Sequence, residues 1–155
     1  MELIIVIVVM AMMTAVVMPQ FSTGANALAF QQAQSSIVGS LRYAQMRAIA
    51  QRQRIALAVT SGQNAAGYQL SIFNVNANEW QALNGRFGRS KALPRGASLH
   101  VMLPDGRARV PESVTFYPDG RADAAQLVLK TAQGNTATID VDEATGHITV
   151  LSRAQ

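Results

Sequence analysis

The chain has 155 residues, enough for one domain with a substantial core, and it contains no cysteine. Disulfides, thiol nucleophiles and cysteine-based metal sites are therefore excluded. Its formal net charge is +4, but every Lys and Arg lies from Arg42 onward, and Glu2 is the sole charged residue before that point. An uncharged apolar start followed by a mixed-charge remainder predicts a membrane segment that carries a soluble domain.

The first element is the apolar run Leu3–Met18, which holds only Leu, Ile, Val, Met, Ala and one Thr. As a helix this run would be about 24 Å long, against a hydrocarbon core of about 30 Å. A cleaved secretory signal is the alternative, but the run lacks a preceding basic region and a small-x-small cleavage site after it. We predict a retained transmembrane helix over residues 1–18.

Glu2 has two interpretations. It is either a charge at a helix N-terminus, favoured by the helix dipole at the membrane–water boundary, or a carboxylate that awaits a positive partner at membrane depth. Pro19 and Gly24 then weaken the helix and predict a bend.

An amphipathic continuation of the helix is predicted over residues 19–54. Its apolar positions recur at intervals of seven, four, three and four residues, which is the stripe of a helix that packs on a core. Arg42 lies opposite this stripe. The stripe residues are Phe30, Ile37, Leu41, Ala44 and Ala48.

From residue 55 the chain consists of short β-rich runs separated by Gly, Asn, Asp and Pro. The turn signals at Pro118-Asp119-Gly120 and at Gly146 predict tight connections. We therefore expect an α+β fold, in which the long N-terminal helix packs on an antiparallel β-sheet within a β-rich domain over residues 55–155. The predicted strands are 54–61, 67–75, 97–103, 113–118, 125–131, 136–142 and 147–152.

The sequence shows no catalytic constellation, so we expect neither an enzyme nor a cofactor. His100 and His147 lack partners at metal-ligand spacing. The acidic cluster at 140–143 lacks the spacing of a calcium loop, which favours a solvated strand face and turn over a metal site. The acids of that cluster are Asp140, Asp142 and Glu143.

One loop could carry a separate activity. The stretch "NGRFGRSKALPRG" (residues 84–96, the basic loop) combines four cations with an aromatic residue and no acid. Such a set can hold phosphates and stack a base, as in single-strand nucleic-acid binding, although a solvated surface loop is the ordinary interpretation. The candidate contacts are Arg86, Phe87, Arg89, Lys91 and Arg95.

The N-terminal stretch "ELIIVIVVMAMMTAVVMP" resembles that of type IV pilins and type II secretion pseudopilins. In that superfamily a leader is removed, the new first residue is a methylated aromatic, and a glutamate follows; Glu2 matches the glutamate and Pro19 the helix-kinking proline. Met1 departs from the pattern, and the leader and aromatic residue do not precede Glu2. A shortened gene start and a different processing route are both open.

The C-terminal part narrows the resemblance to the GspH/FimT family. "SVTFYPDGRADAAQLVLKTAQGNTATIDVDEATGHITV" is similar to that family's strand ending in Phe-x-Pro-x-Gly, its Leu-bearing strand and its final hairpin with Thr-Gly in the turn. "LRYAQMRAIAQRQRIAL" resembles the family's helix end and first strand, with arginines near the junction. The matching residues are Phe116, Pro118, Gly120, Leu127, Thr145 and Gly146.

The resemblance implies a minor pseudopilin of the type II secretion pseudopilus, at or near its tip, anchored once in the bacterial inner membrane with its C-terminal domain in the periplasm. Implied partners are other minor and major pseudopilins, the inner-membrane assembly platform and secreted substrates, with Glu2 as the assembly contact. Two alternatives are a FimT-like minor pilin that binds DNA during uptake and a single-pass membrane protein that does not polymerise.

Overall fold

The structure is a computed structural model that describes residues 2–61, 66–85 and 87–153. Within these ranges, the side chains at 2–3, 11, 13–25, 61 and 152–153 are left undescribed. The described residues form a helix and nine strands: α1 Glu2–Gln51, β1 Ile55–Ser61, β2 Ala66–Asn74, β3 Glu79–Ala82, β4 Lys91–Ala92, β5 Ala97–Met102, β6 Ser113–Phe116, β7 Ala125–Thr131, β8 Thr136–Val141 and β9 Ile148–Arg153.

The chain divides into two compact units, one that ends at Gln32 and one that starts at Ala33. In the first unit α1 continues through Pro19 and Gly24 without interruption, so the bend at these residues stays a prediction. The apolar side chains described near its start are largely exposed, for example Ile4 at 65% and Met12 at 67%. Within the described part of the chain, no helix has a stretch apolar and long enough to qualify as a membrane span.

The second unit contains two antiparallel sheets. The first has the order β3-β2-β1-β6, with β4 also paired to β2, and the second has the order β5-β7-β8-β9. Alternating burial along β8, where every second residue is buried, is the pattern of a strand with one face on a core. The α+β class predicted from the sequence is thus confirmed, and the sheet is split in two.

The second half of α1 is held by the predicted stripe. Ile37, Leu41, Ala44 and Ala48 are completely buried, whereas Arg42 is exposed. Phe30, the fifth predicted member, belongs to the first unit and is half-buried. At about 25 cal/mol per Å² of apolar area, the burial of Ile37 and Leu41 alone stabilises the fold by roughly 3–6 kcal/mol.

Two motif turns and the helix meet at one junction. The turn after β6 closes when the amide of Tyr117 donates to the carbonyl of Arg121 at 2.9 Å, and the turn after β8 closes from Gly146 N to Asp142 O at 2.9 Å. Gln45 of α1 donates its side-chain amide to the carbonyl of Thr145 at 3.0 Å. These turns carry the Pro-x-Gly and Thr-Gly positions of the family resemblance. The amide of Ala122 donates to the carbonyl of Glu143 at 3.1 Å and so joins the segments that hold the two turns, while Gln45 joins the second turn to the helix.

Gly146 is required at this junction for two reasons. Its φ of 63° lies in the left-handed region, and a Cβ there would be 2.6 Å from the carbonyl oxygen of Gly120 and 2.7 Å from Nε2 of Gln45. Both contacts are closer than real Cβ atoms approach, and one of them is backbone.

We predict that Gly146→Ala lowers the free energy of unfolding by about 3 kcal/mol, because left-handed strain adds to overpacking. Gly134→Ala is the matched control, since Gly134 also has positive φ (89°) but open space around its Cβ position. The control should lose only about 1 kcal/mol in the same urea denaturation series. Equal losses in the two variants would show that the junction is not tightly packed.

Candidate functional site

The predicted site residues fall into three groups according to what the structure describes of them. Glu2 is the first residue of α1, a position at which the helix dipole stabilises a carboxylate. Its side chain is not among those described. Arg86 lies outside the described residues. The other members of the basic loop are described, and they do not form one surface.

Lys91 faces the helix. It lies on β4, and its Nζ donates to Oγ of Ser40 at 3.1 Å and to Oγ of Ser36 at 3.4 Å. The same ammonium lies 5.8 Å from the ring centroid of Tyr68 and 5.4 Å from that of Phe87. Ser40 is 1% exposed, so the ammonium supplies a donor to a hydroxyl that water does not reach.

Phe87 is also engaged with the helix. Its ring stacks on that of Tyr43, with the centroids 4.2 Å apart and the planes at 19°. Arg47 lies one turn further along α1. Its guanidinium carbon is 5.7 Å from the centroid of the Tyr43 ring, and its side chain donates a hydrogen bond to the Tyr43 hydroxyl. Phe87 and Lys91 therefore fix the basic loop to α1 through alternating aromatic and cationic groups.

Arg89 and Arg95 remain exposed. Arg89 borders an open cavity of about 540 Å³ beside the loop, whose other lining residues are Ala82, Leu83, Asn84, Gly85 and Gly88. Among the described members of the predicted nucleic-acid set, Lys91 and the ring of Phe87 are engaged with the helix, whereas Arg89 and Arg95 have no described contact with it. Nucleic-acid binding by this loop stays a prediction.

The predicted histidines lie apart from each other. His100 on β5 pairs through Nδ1 with Glu112 at 3.3 Å, and His147 is exposed just before β9. Asp142 serves the turn, because its Oδ1 accepts from the amide of Thr145 at 2.9 Å and from the Thr145 hydroxyl at 2.7 Å. The hydroxyl bond, followed by the amide bond, lowers the pKa of Asp142 below its ordinary 3.8. Among the described residues, no three potential ligands group around a metal position.

A second polar network was not foreseen from the sequence. Asp123 accepts from the amide of Thr115 at 3.1 Å and from the hydroxyl of Tyr117 at 3.1 Å, and it forms an ion pair of 2.8 Å with Arg109. Burial, and then the charge and hydrogen bond of Asp123, raise the pKa of the Tyr117 phenol above its ordinary 10.0. The network fixes Tyr117 at the end of β6.

Comparison with known proteins identifies relatives of this architecture. The model of the family described as "Type II transport protein GspH" matches residues 33–145. Two solved structures of the minor pseudopilin EpsH from the type 2 secretion system of Vibrio cholerae are similar, each at 16% identity. One has a TM-score of 0.60 over 80% of this chain and 96% of that chain, the other 0.64 over 82% and 95%. No curated protein sequence matches significantly.

We predict that Lys91→Met lowers the free energy of unfolding by about 1–2 kcal/mol, because two charged hydrogen bonds and two cation–π contacts are lost while the side-chain volume is kept. Trypsin should then cut faster after Arg89 and Arg95. Lys130→Met is the control, since Lys130 is exposed on β7 and should change stability by no more than about 0.5 kcal/mol. Unchanged protease resistance would contradict the fixed loop.

We also predict a pH effect at Tyr117. Because its pKa is raised in the folded chain, the folded state retains the phenol proton more strongly than the unfolded state does. This stabilisation is complete below pH 10 and is lost as pH rises through the folded pKa. Unfolding measured between about pH 9 and 11 should therefore show a fall in stability that Tyr117→Phe reduces, and an equal fall in this variant would contradict the raised pKa.

Proposed function

The chain belongs to the GspH family, the structural pseudopilins of type II secretion, and we propose that it is a minor subunit at or near the tip of the pseudopilus that assists protein secretion across the outer membrane. The family match over residues 33–145 carries this proposal. As a pseudopilin, the protein is associated with the cell envelope and interacts with other pseudopilins of the filament.

The first unit supports a role in anchoring and filament packing. Eight described apolar side chains between Ile4 and Met12 are 48–68% exposed in the single chain. Such a surface requires cover, by lipid before assembly and by the helices of neighbouring subunits afterwards. We therefore infer one pass of the inner membrane by the segment up to Met18, with the second unit in the periplasm. The assembly platform in that membrane and secreted substrates are the further partners.

Glu2 acts as the assembly contact in this proposal. A carboxylate in an apolar environment is unfavourable when it is alone, and a positive charge supplied by the N-terminal amine of an adjacent subunit removes that penalty. An incorrect register would leave Glu2 unpaired at a cost of about 3 kcal/mol, so correct register is selected. Pro19 and Gly24 would allow the helix to bend while the subunit leaves the membrane.

We predict that Glu2→Gln and Glu2→Ala, expressed from the gene with its upstream codons, leave leader removal intact. Each should lower recovery of pilin-like partners by about tenfold or more, because the charge that pairs between subunits is gone. Secretion by the host should fall in parallel. The measurements are precursor and mature band intensities, co-purification and secreted enzyme activity.

Glu143→Gln is the matched control, because it removes an exposed carboxylate from the turn after β8. It should behave as wild type in all three measurements. If the Glu2 variants do so as well, Glu2 is only a charge at a helix end and the assembly proposal is wrong.

A further inference from the structure

Four residues that are far apart in the sequence form one row across the first sheet. Phe73 on β2 is the register partner of Trp80 on β3, and its amide donates to the carbonyl of Arg54 at 2.9 Å. Ile55 pairs with Phe116, which places Arg54 beside Tyr117. We call the set of Trp80, Phe73, Arg54 and Tyr117 the aromatic row.

The members of the aromatic row contact one another in order. The rings of Trp80 and Phe73 meet edge to face at 5.2 Å, and the guanidinium carbon of Arg54 lies 5.7 Å from the centroids of both Phe73 and Tyr117. Arg54 therefore contacts two rings through its guanidinium group. Cation–π contacts use no N–H donor, so the guanidinium keeps its in-plane N–H groups for hydrogen bonds.

The row lies on the face of the first sheet that points away from the core. Side chains alternate along a strand, and the neighbours Ile55 and Phe116 are completely buried. Trp80 is 46% exposed, Arg54 is exposed, and Val75 just beyond the row is 73% exposed. The result is an apolar strip with one cation at its centre.

Within the part of the chain that the structure describes, Arg54 has no carboxylate partner. The described arginine ion pairs join Arg107 to Asp105, Arg109 to Asp123 and Arg121 to Asp119. Asp123, which bonds the hydroxyl of Tyr117 in the row, already accepts from the amide of Thr115 and from Arg109. Because Arg54 is also exposed, its N–H donors are available to a carboxylate from another molecule.

The strip is also held in a fixed geometry. In the turn between β2 and β3, Oδ1 of Asn74 accepts from the amides of Asn76 at 3.0 Å and Ala77 at 3.3 Å, and Asn78 takes a left-handed φ of 52°. This turn positions Val75 and Trp80. A surface that is already ordered loses little conformational entropy on binding.

We propose that the aromatic row is the docking surface for an acidic segment of a different pilin-like subunit, whose carboxylate binds the in-plane donors of Arg54 while an adjacent apolar side chain covers Trp80 and Val75. Charge complementarity favours a different, acidic subunit over a second copy, because the chain from Arg42 onward carries a net charge of +5. This inference rests on the proposed function and names the kind of partner that the second unit takes.

The test uses the full chain in its host, with the photo-cross-linking residue p-benzoylphenylalanine in place of Val75, so that all four members of the row are kept. Irradiation should link the chain to a pilin-like subunit through a peptide that contains Asp or Glu within a few residues of the attachment point. Arg54→Gln should reduce the yield by about fivefold or more, because the carboxylate contact is lost.

Arg52→Gln is the matched control, since Arg52 is exposed two residues away and contacts no ring in the described structure. It should keep the yield within about twofold of wild type. Arg54→Glu combined with Lys in place of the mapped partner carboxylate should restore the cross-link. The same photo-cross-linker at Leu151 on β9 should give products that do not depend on Arg54.

Co-purification in the same strain separates the two proposals. If no pilin-like subunit co-purifies with the wild-type chain, the proposed function and this inference are both overturned. If partners co-purify, the docking surface alone is overturned by any of four results: no cross-link from position 75, a link to lipid or to a second copy, a linked peptide without an acid, or a yield unchanged by Arg54→Gln.

Discussion

The removal of one stripe of α1 from water is the constraint on which the second unit depends. Ile37, Leu41, Ala44 and Ala48 are completely buried, and the two alanines allow the helix to approach closely. Polar contacts on either side of the stripe then fix the rotation of the helix. On one side, Tyr68 and Lys91 form hydrogen bonds with Ser36 and Ser40 of the helix. On the other side, Gln45 donates to the backbone of the turn after β8.

These flanking contacts come from different sheets. Lys91 and Tyr68 belong to the first sheet, whereas Thr145 connects strands of the second. One face of the helix therefore contacts both sheets, whose described strands pair only within their own sheet. The glycine at 146 follows from the same constraint, because the helix, its own turn and the turn at Gly120 leave no room for a Cβ.

The sequence predicted what depends on local periodicity. The helical stripe and seven of the strands repeat at intervals that backbone geometry imposes. The strands β3 and β4 were missed because one is four residues long and exposed throughout and the other has only two residues. Neither the separation into two sheets nor the pairing register is encoded in a short-range pattern.

The same distinction explains the candidate sites. The basic loop was predicted as one surface because its cations are close in sequence, but β4 directs Lys91 to the helix and leaves Arg89 exposed. The aromatic row was missed for the opposite reason, since its members are separated by up to 63 positions and only strand pairing brings them together. The junction arginines near residue 54 were noticed, but their aromatic neighbours were not.

The bond between Gln45 and Thr145 joins residues 100 positions apart. Forming such a contact requires closure of a loop that contains most of the second unit. The chain must lose the conformational entropy of this loop before Gln45 can bond to Thr145. The helix is made first during synthesis, yet its docking is completed only when the final hairpin arrives. The second unit therefore cannot close until nearly the whole sequence has been synthesised.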